Sequence, residues 1–222
     1  MIKKLLPLAS LLLFLAACKT EKKTEVVPEE TILEKVAKAH GIENWNKIQQ
    51  IRFTFNVDRD TMHFEREWTW NTKTQEVLGI SRGDTILYNR KAVDSLSARA
   101  DAAFINDKYW LLAPINILWD KDNLTYTYEE RSLAPISNDS LPKLTVVYGN
   151  DGGYTPGDAY DFYLGDDYLV KEWNFRKGNS DDPTSSATWE GYKEVNGLKI
   201  CTMHKNAGGN FSLYFTDVEV IK

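Results

Sequence analysis

From Ile51 onward, apolar and polar residues alternate with a period of two. Ile51, Phe53, Phe55 and Val57 interleave with Arg52, Thr54, Asn56 and Asp58; Met62, Phe64, Trp68 and Trp70 interleave with His63, Glu65, Glu67 and Thr69. That period sets the two classes on opposite faces of a strand. Further strand-like segments at 76–81, 85–89, 124–130, 144–148, 159–164, 168–176, 187–195, 198–204 and 211–220 predict about eleven strands. Short joints such as Asn196-Gly197 and Gly208-Gly209-Asn210 suit antiparallel hairpins, and half-polar strands leave one sheet face wet. A long antiparallel sheet must curl or close to protect its edges. The expected class is therefore mainly β, with a minor helical part.

Two segments break the alternation. Pro28-Glu29-Glu30 puts a fixed φ and negative charge where a helix begins, and Ile32, Leu33, Val36, Ala37 and Ala39 follow as an apolar stripe. Lys35, Lys38 and His40 suit its end and Gly41 stops it. The second break lies between Val93 and Leu118. Residues 95–103 are predicted helical, with Asp94 or Ser95 as cap, and run into a stretch at 104–114 too apolar for a surface loop. Inside a sheet protein such a segment either plugs the concave side or lies across its mouth.

The amino terminus follows a different logic. Lys3 and Lys4 precede a largely apolar run over 5–17, well short of the about 20 residues that span a bilayer as a helix. It reads as a signal peptide, residues 1–17. Leu15-Ala16-Ala17-Cys18 matches the bacterial lipobox, a resemblance implying diacylation of the Cys18 thiol and cleavage before it. Two or three fatty chains hold a protein to a membrane on cellular timescales, so the domain needs no membrane segment of its own. Residues 18–28 are expected to be the lipidated cysteine and a tether reaching at most about 33 Å, and 29–222 one domain. Lys19, rather than Asp, after the cysteine resembles lipoproteins sent on to the outer membrane; which face the domain occupies stays open.

Composition narrows the chemistry. The 222 residues hold 7 Trp, 11 Tyr and 9 Phe, an aromatic surplus, with formal charge −5 that becomes −7 once Lys3 and Lys4 leave with the signal. Such a balance does not suit nucleic acid. Cys18 and Cys201 are the only cysteines, and Cys201, in a strand-like stretch, reads as a packed small residue rather than a nucleophile. His40, His63 and His204 lack metal-type spacing, and no serine-hydrolase, zinc-protease, phosphate-loop or dinucleotide motif occurs. Asp120-Lys121-Asp122-Asn123 lacks the glycine and distal glutamate of an EF-hand, while Asp158, Asp161, Asp166 and Asp167 suit turns as readily as calcium. No catalytic residue, metal or cofactor is expected. Arg66 is the anomaly, because it shares the apolar face of Met62, Phe64, Trp68 and Trp70. A buried charge needs a carboxylate, a wet rim or an anionic ligand; an internal salt bridge is the default.

A lipobox, a tether, a helix ending Ala39-His40-Gly41 with Trp45 soon after, and a meander of strands together resemble the LolA/LolB-like lipoprotein-carrier fold. More closely, Phe104-Ile105-Asn106-Asp107-Lys108-Tyr109-Trp110-Leu111-Leu112-Ala113-Pro114 and Tyr154-Thr155-Pro156-Gly157-Asp158-Ala159-Tyr160 look like signatures of a family of functionally uncharacterised bacterial lipoproteins. The resemblance implies a strongly curved antiparallel half-barrel with an N-terminal helix and a helical insertion on its concave side. The leading expectation is a non-enzymatic, membrane-anchored envelope lipoprotein sheltering an acyl chain or other apolar ligand. Phe53, Phe55, Phe64, Arg66, Trp68, Trp70, Tyr109 and Trp110 are the candidate ligand-binding residues. The rival expectations are a glycan- or protein-binding module using Trp119, Tyr126, Tyr128 and Trp189, and a hydrolase with undistinguished carboxylates.

Overall fold

The computed structural model describes residues 29–151 and 154–222; the signal peptide, Cys18 and the tether lie outside the described residues, as does Gly152-Gly153. Helix α1 (Ile32–Ala39) starts later than Pro28-Glu29-Glu30 suggested, because Thr31 takes the cap. Its hydroxyl accepts from Glu34 N (3.3 Å) while its own N–H donates to Glu34 Oε2 (2.8 Å), closing a capping box. Leu33, Val36 and Ala37 are its buried positions. Gly41 ends this region at φ +90°, and a Cβ there would lie 2.0 Å from the Gly197 carbonyl oxygen, so only glycine fits.

Thirteen strands follow among the described residues rather than about eleven, all paired antiparallel. They are β1 (Gln50–Arg59), β2 (Met62–Asn71), β3 (Glu76–Ser81), β4 (Asp84–Asn89), β5 (Leu124–Leu133), β6 (Ser140–Tyr148), β7 (Ala159–Leu164), β8 (Val170–Arg176), β9 (Ser185–Thr188), β10 (Lys193–Val195), β11 (Leu198–Ile200), β12 (Met203–Lys205) and β13 (Phe211–Ile221). The extra strands arise because 187–195 and 198–204 each break in two. Glu190 and Gly191 turn a corner against Met203 and Thr202, and that contact, distant in sequence, interrupts both alternating runs.

One sheet has the order β12-β13-β1-β2-β3-β4, a second β5-β6-β7-β8-β9, and β10-β11 form a ribbon. The edges β12 and β9 are tied where Glu190 N donates to Met203 O (2.8 Å) and Met203 N to Glu190 O (3.1 Å). The sheets are not closed into a barrel; β4 and β5 remain the outer edges.

The segment between β4 and β5 is one long helix, α2 (Ala98–Trp119), not a short helix with an apolar tail. Its start is set by Asp94, whose Oδ1 accepts from Leu96 N, Ser97 N and the Ser97 hydroxyl. Leu112 leaves helical dihedrals (φ −127°, ψ 15°) just before Pro114, which has no N–H to give and crowds the preceding turn. α2 lies between two cores. Phe104, Leu111, Leu112 and Ile115 pack with Phe53, Phe55, Trp68 and Trp70 of the first sheet. Tyr109, Ala113 and Ile117 join Leu33 and Val36 of α1 and Tyr160, Phe162 and Trp173 of the second. Burying each large side chain is worth about 1.5–3 kcal/mol, so the middle of the sheet surface is already filled by the protein's own helix.

Candidate functional site

The anomaly at Arg66 resolves on α2. Its guanidinium donates through Nε to Asp107 Oδ2 (2.7 Å) and through Nη2 to Asp107 Oδ1 (2.6 Å). Trp68 Nε1 (2.8 Å) and Asn106 Nδ2 (3.0 Å) donate to the same carboxylate, which is fully buried. Burial pushes the Asp107 carboxyl up, and the bonds from Arg66, Trp68 and Asn106 pull it back toward the charged form. Arg66 also lies over the rings of Phe64 (4.8 Å) and Phe55 (5.3 Å). The salt bridge is structural and leaves Arg66 at a rim, where it is still partly exposed.

Beside that rim is a groove of about 490 Å³ between β2–β4 and the start of α2, its lining polar and apolar in nearly equal measure. Phe64, Trp68, Ile80, Ile86, Leu96 and Ala100 supply its apolar wall, and Arg66, Arg82 and Arg99 its polar margin. Leu96 is 84% exposed, so a large apolar side chain of the groove lining stands in solvent. Of the candidate ligand residues, the structure brings Phe64, Arg66 and Trp68 to this groove. Phe53, Phe55 and Trp70 are buried in the first core, Tyr109 in the second, and Trp110 is partly buried between both.

On another part of α2, Lys108 enters the interior. Its ammonium donates to Asn116 Oδ1 (2.8 Å) and lies 5.7 Å and 5.6 Å from the Trp70 and Trp119 ring centroids. Asn116 in turn donates to Asp120, which also accepts from the Tyr148 hydroxyl (3.2 Å). Close by, the buried Asp101 carboxylate takes Arg90 Nε (3.0 Å), the Tyr88 hydroxyl (3.0 Å) and the Tyr154 hydroxyl. The two sequence motifs that carry the family resemblance thus meet: Tyr154 reaches α2 at Asp101, and Tyr160 packs on Tyr109 with ring centroids 4.8 Å apart. Sequence reasoning did not single out Lys108, although a lysine leading directly into the apolar run Tyr109-Trp110-Leu111-Leu112 was the available signal.

The remaining candidates separate by burial. Trp119, Tyr126 and Tyr128 are 37%, 41% and 42% exposed, whereas Trp189 is buried against Trp173 and His204 and cannot serve a surface site. Cys201 is buried and its thiol donates to the Glu190 carbonyl (3.0 Å); burial pushes it up to about 12, far from thiolate chemistry. Burial likewise holds His40 down to about 4 and His204 to about 3. His63 is exposed and raised, chiefly by its bond to Asp58. Asp161 pairs with Arg176 and Asp158 accepts from Gly178 N. No group of three or more metal-ligating side chains occurs among the described residues, and no described helix is long and apolar enough to cross a membrane.

No family model matches the chain, and no curated protein matches it. Among solved structures, a DUF1329 family protein from Desulfovibrio piger is similar over 85% of this chain and 91% of its own, at 9% identity and TM-score 0.48. A candidate outer membrane lipoprotein-sorting protein domain from Vibrio parahaemolyticus is similar over 85% of this chain and 93% of its own, at 12% identity and TM-score 0.45. MucB is similar over 86% of this chain and 58% of its own, at 12% identity and TM-score 0.26. At TM-scores below 0.5, none of the three carries an argument about what this chain is or binds.

Proposed function

We propose that the protein is a non-enzymatic lipoprotein of the bacterial envelope, anchored through Cys18 to the outer membrane, whose half-barrel shelters an acyl chain or other apolar ligand. The observation that carries this reading is the groove of about 490 Å³ under the start of α2, with Leu96 84% exposed at its lip. Its volume falls within the range of ordinary ligand pockets, about 300–1,000 Å³. Because α2 fills the middle of the sheet surface, the ligand lies along the flank formed by β2–β4 and residues 96–103 rather than across the whole concave face. Each methylene buried there contributes about 0.8 kcal/mol.

The test is native mass spectrometry of the unlipidated domain after mild purification, together with titration of a fluorescent fatty acid. Saturable binding that is lost in Ala100→Phe, a substitution that fills the groove from its helical wall, is the expected result. Binding unchanged in that variant, or absent from the wild type, rejects the reading. The glycan-binding alternative keeps only Tyr126 and Tyr128, exposed two residues apart on the edge strand β5, since Trp189 is buried and Trp119 leans on Trp45 (4.5 Å between centroids).

A further inference from the structure

Charges buried in proteins are normally answered by partners, because an unanswered one is costly. Around Lys108 the answers are incomplete. An ammonium carries three N–H donors, and here one reaches Asn116 Oδ1 at 2.8 Å while no carboxylate of the described residues comes within 4.0 Å. The side chain is nonetheless 7% exposed. The neighbouring charges are occupied elsewhere: Arg90 is paired with Asp101, which Tyr88 and Tyr154 also bind, and Asp120 is held by Asn116 and Tyr148.

Space is present as well. A cavity of about 390 Å³ is lined by Lys108, Arg90, Asp120, Asn116, Trp119 and Tyr154, among others. Lys108, Arg90 and Trp119 also line a second space of about 300 Å³ that adds Trp45, Trp70 and Gln75. An indole wall, amide and hydroxyl groups at the margin and an ammonium with spare donors match the usual make-up of a small-molecule site.

We propose that this cavity binds a small organic carboxylate, its charge on the Lys108 ammonium and its body against the Trp119 indole. The Lys108 ammonium shares the cavity with the Arg90 guanidinium, already paired with Asp101, and with the Asp120 carboxylate, so little net positive charge is left over, which suits a monoanion rather than a phosphate dianion. Burial and the like charge of Arg90 hold Lys108 down to about 8, while Asp120 and Asp101 pull the other way. At neutral pH the ammonium is therefore mostly charged, and a bound carboxylate raises its proton affinity. The site is separate from the groove under residues 96–103 and does not depend on it.

The experiment titrates the purified mature domain with benzoate, hexanoate and D-glucuronate, and with benzamide and inorganic phosphate as comparators. Tryptophan fluorescence and calorimetry follow binding. At least one carboxylate saturates the wild type, with benzamide and phosphate weaker by about tenfold or more, in line with the strength of a charge-assisted hydrogen bond. Lys108→Met weakens that carboxylate by a similar factor, and the Lys108 ammonium, followed by NMR, titrates at higher pH in the complex. Trp119→Ala, a change at the partly exposed rim, weakens binding too and serves if Lys108→Met fails to fold. No saturation by any of the three carboxylates overturns the proposal, as does equal binding of benzamide or phosphate. So does an affinity unchanged in the folded variants.

Discussion

Asp107 and Lys108 are consecutive residues of one helix, both buried, and they meet opposite circumstances. Successive side chains on a helix diverge by about 100°. One therefore faces β2 and finds Arg66 and Trp68, while the other faces Asn116 and two indoles. Asp107 is clamped by a planar, two-pronged partner on another element, which pins α2 to the sheet. Lys108 has one hydrogen bond, within its own helix, and touches β2 only through the face of the Trp70 ring. Burial alone therefore does not tell what a charge is for; the element that supplies its partner does.

The largest effect that would separate the two comes from removing the carboxylate. Asp107→Ala leaves Arg66 and the Trp68 N–H without their partner and lowers unfolding free energy by about 3–5 kcal/mol in urea titrations. Arg66→Met combined with Asp107→Leu recovers most of the loss. A cost below about 1 kcal/mol for the single change breaks the comparison.

The acid limb of stability comes next and belongs to neither charge. His40 and His204 have folded values of about 4 and 3, below the ordinary 6.5. The unfolded chain therefore binds protons that the folded one refuses. Stability is full above about pH 6.5 and falls as pH drops toward the folded values, by about 2–3 kcal/mol for each histidine at pH 4.5. Denaturation at stepped pH measures it, and a flat profile from pH 7 to 4.5 contradicts the neutral burial of both rings.

The smallest effect is at Lys108. Lys108→Met removes a charge with one hydrogen bond and raises stability at pH 7 by about 1 kcal/mol. Since the folded value, about 8, lies below the ordinary 10.5, wild-type stability rises with pH above about 8 and the advantage of the variant shrinks. A variant less stable than the wild type would show Lys108 to be a fastening like Asp107.

Legibility in the sequence tracked how local the deciding interactions are. β1, β2, β3 and β13 follow from alternation that one sheet face enforces. The corner at Glu190-Gly191 did not, because Met203 and Thr202 set it from another part of the chain. α2 was foreseen only over its first turns; farther on it is enclosed by two cores, so it shows no one-sided stripe to read. Arg66 announced its need for a carboxylate by sitting on an apolar face, though which acid answered was a matter of tertiary packing. The aromatic surplus marked both the core and the cavity walls without distinguishing them. Trp189 and Trp119 read alike and ended on opposite sides of the surface.

The bend at Leu112 makes α2 two rods sharing a joint, and the Arg66–Asp107 clamp sits on the leading one. Any force that lifted residues 96–103 off the sheet would load the charged fastenings of that rod first, Asp101 on Arg90 and the clamp itself, as a latch is loaded, because both lie ahead of the joint.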